Sequence, residues 1–269
     1  MTEDILLIAV DLDGTLLTSE GNLAPKSAGA LREAAHNGVR VVLASARPAD
    51  IVQSICRILE TNDPMICLNG AEVWGSPDGP VWAYHSIPQA VAQVIAELAD
   101  RHQWELATTV GAVTYWRQRP GQTLGSDNPN RSIVARNSDA IVGDPTRILT
   151  WEIDAVEMIQ SLCQSKFPDQ CYSEIFYKAD GDLEAIGVFA PGADKGSALK
   201  LVLDRLGLKP EQAMAIGDNI NDLAMFAQVG VSVAMANAPA VVKAKASLVA
   251  PSNDDEGVAW ALVRCGVVD

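Results

Sequence analysis

The sequence predicts an α/β protein whose core is a doubly wound, Rossmann-like parallel sheet, interrupted by an inserted α/β domain. Short apolar, β-branched runs at 5–10, 39–44 and 213–216 are typical of strands buried on both faces of a parallel sheet. Helical patterns alternate with such runs at both ends of the chain, which indicates one sheet with helices on both faces. Residues 1–85 and 190–269 are therefore predicted to form the core, and residues 86–189 the insert.

The first part of the core is predicted to alternate strands and helices, with glycine and proline marking the turns. Its predicted elements are a strand at 5–10, a helix at 23–37, a strand at 39–44, a helix at 50–59, a strand at 65–68 and a hairpin at 72–74 and 81–84. Gly38 follows the first helix, where a residue with positive φ commonly ends a helix.

The insert is predicted as a domain because it has strands and helices of its own. Its predicted elements are helices at 89–102 and 155–166 and strands at 105–109, 112–116, 133–135, 140–142, 147–152, 171–177 and 183–189. The chain then returns to the core pattern. The elements predicted there are helices at 194–206, 223–228, 239–246 and 256–263 and strands at 213–216, 231–235 and 247–250.

Composition narrows the class of protein. With 48% apolar and 20% charged residues over 269 positions, the chain has the composition of a soluble globular protein. Its net charge of −14 disfavours nucleic acid and anionic membranes as partners. An anionic substrate would need Mg²⁺, lysine or helix amides to overcome that charge. Five separated cysteines and the lack of a membrane-spanning or signal segment predict free thiols in the cytoplasm.

The run Asp11-Leu12-Asp13-Gly14-Thr15 follows the first predicted strand, at the sheet edge where α/β proteins bind ligands. Gly14 permits the bend that would bring both acids to one site. The local pattern suggests three interpretations, and the spacing of its residues argues against the second. The acids could be solvated in a turn, begin a calcium loop, or act as a nucleophile and a general acid/base. The glycine comes too early for a calcium loop, and Asn22 stands where its last glutamate should be.

Polar side chains also follow other predicted strands. Ser45 comes after the second, and Asp218 and Asp222 come after the strand at 213–216. Because parallel strands end at one edge, these side chains are expected to converge with Asp11, and clustered carboxylates favour Mg²⁺. Lys195 begins a helix, where its charge opposes the helix dipole unless an acid or anion lies nearby. Asp218 or Asp222 could instead cap a helix without binding a metal. Lys195 could instead be solvated at the start of its helix.

These segments resemble the four ordered motifs of the haloacid dehalogenase superfamily of phosphohydrolases, and more closely its Cof-like subgroup with a large α/β cap. The motifs are Asp11-Leu-Asp13-Gly14-Thr15, Ser45-Ala46-Arg47, Lys195-Gly196 and Gly217-Asp218-Asn219-x-Asn221-Asp222. Asn69-Gly70-Ala71, Met235-x-Asn237-Ala238 and Ser252-Asn253-x-x-x-Gly257 resemble further signatures of the subgroup. Ser45-Ala46-Arg47 replaces the usual Thr-Gly-Arg, and Ala46 is expected to alter the shape of the loop because it disfavours positive φ.

The resemblance implies a Mg²⁺-dependent phosphomonoesterase acting on small phosphorylated metabolites, with sugar phosphates as the expected substrates. Asp11 would be the nucleophile, and Asp13 the general acid/base. Lys195 would also be catalytic, because it would hold the phosphoryl oxygens and offset charge in the transition state. The remaining implied roles are phosphate or substrate binding by Ser45, Ala46, Arg47, Asn69 and Asn221, and metal binding by Asp11, Asp13, Asp218 and Asp222. Asp222 could instead orient Lys195. The cap would set substrate specificity.

Other functions remain open at this stage. A phospho-accepting signalling module would also use an aspartate, a hydroxyl and a lysine, although it has no use for an acid/base at Asp13. A phosphosugar mutase is a third possibility. Five aromatic residues of the insert could stack on a substrate ring or simply pack in its core: Trp104, Trp116, Trp151, Tyr172 and Tyr177. The expected assembly is a monomer or a small homo-oligomer.

Overall fold

The computed structural model describes residues 4–117, 130–177 and 182–269. The chain divides into two compact units. One combines the chain up to Ala83 with Asp194–Asp269, and the other comprises Tyr84–Ala193. The functional division into a catalytic core and a specificity cap stays a prediction.

Strands and helices alternate along most of the described chain. The strands are β1 (Leu7–Val10), β2 (Arg40–Ala44), β3 (Met65–Cys67), β4 (Glu72–Trp74), β5 (Val81–Tyr84), β6 (Ala107–Val110), β7 (Val113–Arg117), β8 (Arg131–Val134), β9 (Arg147–Thr150), β10 (Tyr172–Tyr177), β11 (Leu183–Phe189), β12 (Ala213–Gly217), β13 (Val231–Met235) and β14 (Leu248–Ala250). The α-helices are α1 (Pro25–His36), α2 (Ala49–Ile58), α3 (Gln89–His102), α4 (Ala155–Lys166), α5 (Lys195–Leu206), α6 (Leu223–Phe226), α7 (Ala240–Lys243) and α8 (Gly257–Arg264).

The first unit is built on an eight-stranded sheet in the order β14-β13-β12-β1-β2-β3-β4-β5. The strands from β14 to β3 pair in parallel, and β4 pairs antiparallel to β3. Apolar side chains pack on both faces. Leu31 of α1 and Leu262 of α8 belong to the cluster on one face, and Leu199 of α5 belongs to the cluster on the other. The predicted doubly wound α/β core is thus confirmed, with the antiparallel strand β4 and its neighbour β5 added at one edge.

The second unit has its own six-stranded sheet, in the order β10-β11-β9-β6-β7-β8. Most of its pairs are antiparallel, and β7 pairs in parallel with β8. Apolar residues of α3 and α4, among them Ile95 and Ile159, pack with Ile148 and Val188 of the sheet. Periodicity predicted α3 and α4 with their observed limits.

Two predicted elements differ in the structure. The strand expected at 140–142 is not formed, and the short 3-10 helix Asn137–Ala140 includes its first residue. Asp100 of α3 accepts hydrogen bonds from the amides of Asn137 and Ser138, so this segment satisfies its backbone away from the sheet. The helix expected at 239–246 is shorter in the structure, where α7 spans only Ala240–Lys243. The chain must rejoin the sheet at Ser247, whose amide donates to Ser232 O.

Within 4–117, 130–177 and 182–269, no helix has the length and apolar character needed to span a bilayer. The five cysteines are free thiols, as predicted.

Candidate active site

The loop after β1 places Asp11 and Asp13 in different environments. Asp11 is buried, and its amide donates to Ile216 O of the neighbouring strand, whereas Asp13 is exposed. Gly14 has φ +76°, which turns the chain between them, and a Cβ at this position would collide with the Asp218 carboxylate. The glycine therefore permits both the bend and the close approach of Asp218.

Lys195 joins two of the predicted acids. Its Nζ donates to Asp11 Oδ1 at 2.5 Å and to Asp222 Oδ1 at 2.6 Å, and its side chain is only 1% exposed. Burial lowers the pKa of Lys195, but the two carboxylates outweigh burial and raise it above its usual value. The conflict between Lys195 and the helix dipole is resolved by these acids rather than by solvent.

Asp222 both caps a turn and orients Lys195. Its Oδ2 accepts hydrogen bonds from the amides of Asp218 and Asn219, both at 2.9 Å, while its Oδ1 accepts from Lys195. Both carboxylate oxygens are thus engaged. This arrangement favours a positioning role for Asp222 over direct coordination of a metal.

Three carboxylates cluster around this lysine. Oxygens of Asp11, Asp218 and Asp222 lie within 4.8 Å of one another. Burial raises the pKa of Asp11 to about 7, although the nearby Lys195 charge opposes this rise. Burial, followed by the charges of Asp11 and Asp222, raises the pKa of Asp218 to about 8. When all three are ionised, Lys195 neutralises one of three negative charges. A divalent cation with oxygen ligands would balance the other two, so the donor set fits Mg²⁺.

The Ser45-Ala46-Arg47 loop contributes a hydroxyl and a guanidinium. Ser45 is fully buried, and its Oγ accepts a hydrogen bond from the Arg47 amide at 3.1 Å, which leaves the hydroxyl proton available to an anion. Arg47 binds Asp13 in a bidentate manner, with Nε to Oδ2 at 2.8 Å and Nη2 to Oδ1 at 2.6 Å. Ala46 is not among the residues with positive φ, so its methyl group causes no backbone strain.

Asn69 and Asn221 contact each other beside this loop. Asn221 Nδ2 donates to Asn69 Oδ1 at 3.0 Å, and the Asn69 amide donates to Ser45 O at 3.0 Å. Asn69 has φ +60°, a left-handed conformation that asparagine tolerates better than most residues. Asn221 Oδ1 is buried without a hydrogen-bond partner in the described part of the chain, and it could accept from a bound ligand.

Three residues without an assigned role in the sequence analysis support the site. Thr15 Oγ1 donates to Asp218 Oδ1 at 3.0 Å. Asn237 Nδ2 donates to Gly14 O at 2.8 Å and lies 3.4 Å from Asp218 Oδ2, and Asn237 Oδ1 accepts from the Asn253 amide. Thr15 stands inside a segment that resembles a superfamily motif, and Asn237 and Asn253 stand inside segments that resemble subgroup signatures. These resemblances were the signal that the sequence offered. Their contacts join residues far apart in sequence, so no local pattern revealed the roles.

Comparison with known proteins identifies relatives along nearly the whole chain. The model of a family described as haloacid dehalogenase-like hydrolase matches residues 8–262. A Bacillus subtilis 5-amino-6-(5-phospho-D-ribitylamino)uracil phosphatase is 30% identical over 96% of this chain and 95% of its own. An Escherichia coli pyridoxal phosphate phosphatase is 25% identical, with 94% and 96% covered. Among solved structures, a Bacteroides thetaiotaomicron haloacid dehalogenase-like hydrolase has a TM-score of 0.82 at 25% identity, with 97% of this chain and 99% of that chain covered.

Proposed function

Because the chain belongs to the haloacid dehalogenase-like hydrolases and is a phosphatase of that family, we propose that it hydrolyses phosphomonoesters of small metabolites through an aspartyl-phosphate on Asp11. The observation that carries this proposal is the bridge from Asp11 through Lys195 to Asp222, with Asp218 beside it. A buried carboxylate held next to a cation is a nucleophile placed where phosphoryl charge can be stabilised.

In the first step, an Asp11 carboxylate oxygen attacks phosphorus and the ester oxygen leaves. Lys195 holds Asp11 through Oδ1, so we assign the attack to Oδ2. Protonated Asp13 donates its proton to the departing oxygen, which leaves as an alcohol. The Ser45 hydroxyl and the Lys195 ammonium bind the phosphoryl oxygens, and Asn221 lies close enough to this loop to contact the substrate.

In the second step, water cleaves the aspartyl-phosphate. Asp13, now ionised, takes a proton from the water as the oxygen attacks phosphorus. The bond between phosphorus and Asp11 breaks, which regenerates the carboxylate and releases inorganic phosphate. Lys195 and Ser45 bind the same oxygens in both steps.

Mg²⁺ is the cofactor that we propose for this site, held by the Asp11 carboxylate, the Asp13 carbonyl and Asp218. It would offset the negative charge shared by the carboxylates and the phosphoryl oxygens. Thr15 and Asn237 would fix the orientation of Asp218, and Asp222 would keep Lys195 in place.

Arg47 has to exchange partners during this cycle. It binds both oxygens of Asp13, the group that must reach the leaving oxygen and the water. The side chains of Arg47 and Asp13 are 37% and 56% exposed. Because solvent screens such a pair, the ion pair adds little to the stability of the fold, and separating the two side chains costs little free energy. We assign Arg47 to the incoming phosphate, whose arrival would free Asp13.

The substrates that we propose are small phosphorylated metabolites, including sugar phosphates. One relative is named as a phosphatase of 5-amino-6-(5-phospho-D-ribitylamino)uracil and another as a phosphatase of pyridoxal phosphate. The insert would set specificity. The net charge of −14 disfavours nucleic acid and anionic membranes as partners. We propose a cytoplasmic enzyme that works as a monomer or small homo-oligomer.

The test measures release of inorganic phosphate from phosphorylated sugars, vitamins and nucleotides, with Mg²⁺ and with a chelator. We expect turnover that requires the metal and that falls by at least about 10³-fold in Asp11→Asn, because the amide is a poor nucleophile. Asp144→Asn, on the insert, is the control and should retain activity. Turnover that persists in Asp11→Asn would contradict the proposed intermediate.

A further inference from the structure

A segment that lies far away in sequence holds the loop after β1. Asn253 Nδ2 donates to Leu17 O at 2.8 Å, although the two residues are 236 positions apart. Next to it, Asp254 Oδ1 accepts a hydrogen bond from the Ser19 amide at 2.8 Å. Asn253 is 6% exposed, so its bond to Leu17 is largely shielded from competing water. We call the short 3-10 helix Asn253–Asp255 the brace.

The bond from the brace to Leu17 fixes the loop that carries Asp13. The Leu17 amide donates to Leu12 O at 2.8 Å, which closes a tight loop around Asp13. Asp13 also forms an isolated β-bridge with Leu17. A displacement at Leu17 would therefore move the backbone of Asp13, whose carbonyl oxygen is one of the oxygens that we propose for Mg²⁺.

The brace also determines which way the Asn237 side-chain amide points. The Asn253 backbone N–H donates to Asn237 Oδ1 at 3.2 Å. Asn237 Nδ2 then faces Gly14 O at 2.8 Å and Asp218 Oδ2 at 3.4 Å. The reversed amide would place an oxygen beside these two oxygens and an NH₂ group against the Asn253 N–H, so it would lose every one of these contacts. The brace thus selects the orientation in which Asn237 donates toward Asp218.

We propose that Asn253 is a positioning residue for the metal site. Its side chain acts on the Asp13 carbonyl through Leu17, and its backbone amide acts on the Asp218 carboxylate through Asn237. This inference rests on the proposed function, because it concerns the Mg²⁺ assigned to that site. Mg²⁺ demands near-ideal octahedral geometry, so a small displacement of two of its oxygens weakens binding. Replacing residues that orient metal ligands typically lowers metal affinity about 10- to 100-fold.

Glu256 provides a matched control for a role in stability alone. It directly follows the brace, and its carboxylate accepts hydrogen bonds from the Lys26 and Ser27 amides at the start of α1. Glu256→Gln therefore weakens the same part of the fold at a helix end rather than at the metal ligands. A residue that only stabilises the fold should behave like Glu256, with a lower unfolding temperature and an unchanged affinity for Mg²⁺.

Two substitutions separate the two contacts of Asn253. Asn253→Ala removes the bond to Leu17 O and keeps the backbone amide, whereas Asn253→Pro also removes the N–H that binds Asn237. Proline suits this position, because Asn253 is the first residue of a 3-10 helix and follows Ser252 in an extended conformation with φ −68° and ψ 166°. The loss of Mg²⁺ affinity should therefore be larger in Asn253→Pro than in Asn253→Ala.

The experiment titrates Mg²⁺ alone into the metal-free protein and measures its dissociation constant by calorimetry. The rise of the unfolding temperature with Mg²⁺ concentration gives a second measure, which remains usable when a variant is less stable. We expect the dissociation constant to rise about 10-fold or more in Asn253→Ala and to stay unchanged in Glu256→Gln. In phosphate release, Asn253→Ala should need correspondingly more Mg²⁺ and should recover most of its turnover at saturating Mg²⁺.

Binding of Mg²⁺ without substrate distinguishes this inference from the proposed function. If the unmodified protein bound Mg²⁺ but hydrolysed no phosphate ester, and Asn253→Ala weakened that binding, the proposed function would fail and the positioning role would stand. An affinity for Mg²⁺ that changed no more in Asn253→Ala than in Glu256→Gln would overturn the positioning role, even if the unmodified enzyme were an active phosphatase. An unmodified protein that bound no Mg²⁺ would overturn it as well.

Discussion

Lys195 is a buried cation whose partners come from two distant parts of the sequence. Asp11 follows β1, and Asp222 lies in the turn after β12. An isolated ammonium group in this position would be strongly disfavoured by desolvation, but the two carboxylates compensate it. The same contacts that would stabilise phosphoryl charge also hold the strand ends of the core together.

We predict that Lys195→Met destabilises the metal-free protein by about 3–5 kcal/mol, because it leaves two buried carboxylates without their cation. Urea unfolding in the presence of a chelator measures the change. Lys200→Met is the matched control on the same helix. Lys200 pairs with Asp204 at 2.6 Å, but both side chains are more than half exposed, so its loss should cost less than about 1 kcal/mol. Equal costs for the two variants would contradict the role given to Lys195.

Convergence of the site residues could be predicted from sequence because it follows from strand order. Asp11, Ser45 and Asp218 each come directly after a buried strand, and parallel strands end at one edge. The pairing of Asp13 with Arg47 could not be predicted in this way, because it depends on side-chain rotamers of two loops. The contact of Asn237 with Gly14 O joins residues 223 positions apart, and no local pattern encodes it.

At the scale of elements, α1 shows how a helix can depend on a distant residue. Its N-cap residue, Ala24, offers no side-chain acceptor. The carboxylate of Glu256 takes this place, because Oε1 accepts from the Lys26 amide at 3.1 Å and Oε2 accepts from the Ser27 amide and hydroxyl at 2.8 Å. Glu256 thereby satisfies amides that the first turn of a helix leaves free, and its charge complements the helix dipole.

We predict that Glu256→Gln lowers the free energy of unfolding by about 1–2 kcal/mol near neutral pH. Burial alone would raise the pKa of Glu256, but hydrogen bonds from Lys26 and Ser27 outweigh it and hold this pKa below its usual value of 4.5. A lowered pKa means that the stabilisation is complete above the unfolded-state pKa and is lost as pH falls through the folded-state pKa. The difference between wild type and Glu256→Gln should therefore shrink below about pH 4.5.

Urea unfolding across this pH range measures the difference for Glu256→Gln. Glu33→Gln, at an exposed position of α1, provides the control and should have little effect at any pH. A difference that stayed constant as the pH fell would indicate that the carboxylate charge does not stabilise α1.

Periodicity predicted elements well where their own side chains determine the structure. The amphipathic patterns at 89–102 and 155–166 match α3 and α4. Periodicity does not predict the structure where distant groups bind the backbone. Asp100 binds the amides of Asn137 and Ser138 and holds a 3-10 helix where an extended strand was predicted nearby. The cap of α1 by Glu256 was missed for the same reason.

At the scale of the whole molecule, each unit has separate apolar cores. The first unit packs one cluster on each face of its sheet, and the second unit packs a single cluster between its sheet and helices. No described apolar cluster combines buried residues from both units. Since burial of apolar surface is the main source of cooperativity in folding, the units are expected to unfold in separate steps.

We predict two transitions in scanning calorimetry, each sensitive to a different core substitution. Leu31→Ala removes a buried side chain from the first unit, and Ile159→Ala does so in the second. Each should cost about 2–5 kcal/mol, because each leaves a cavity in a packed core. Each variant should lower the temperature of one transition and leave the other in place. A single transition that both substitutions shift equally would show that the two units fold as one cooperative body despite their separate cores.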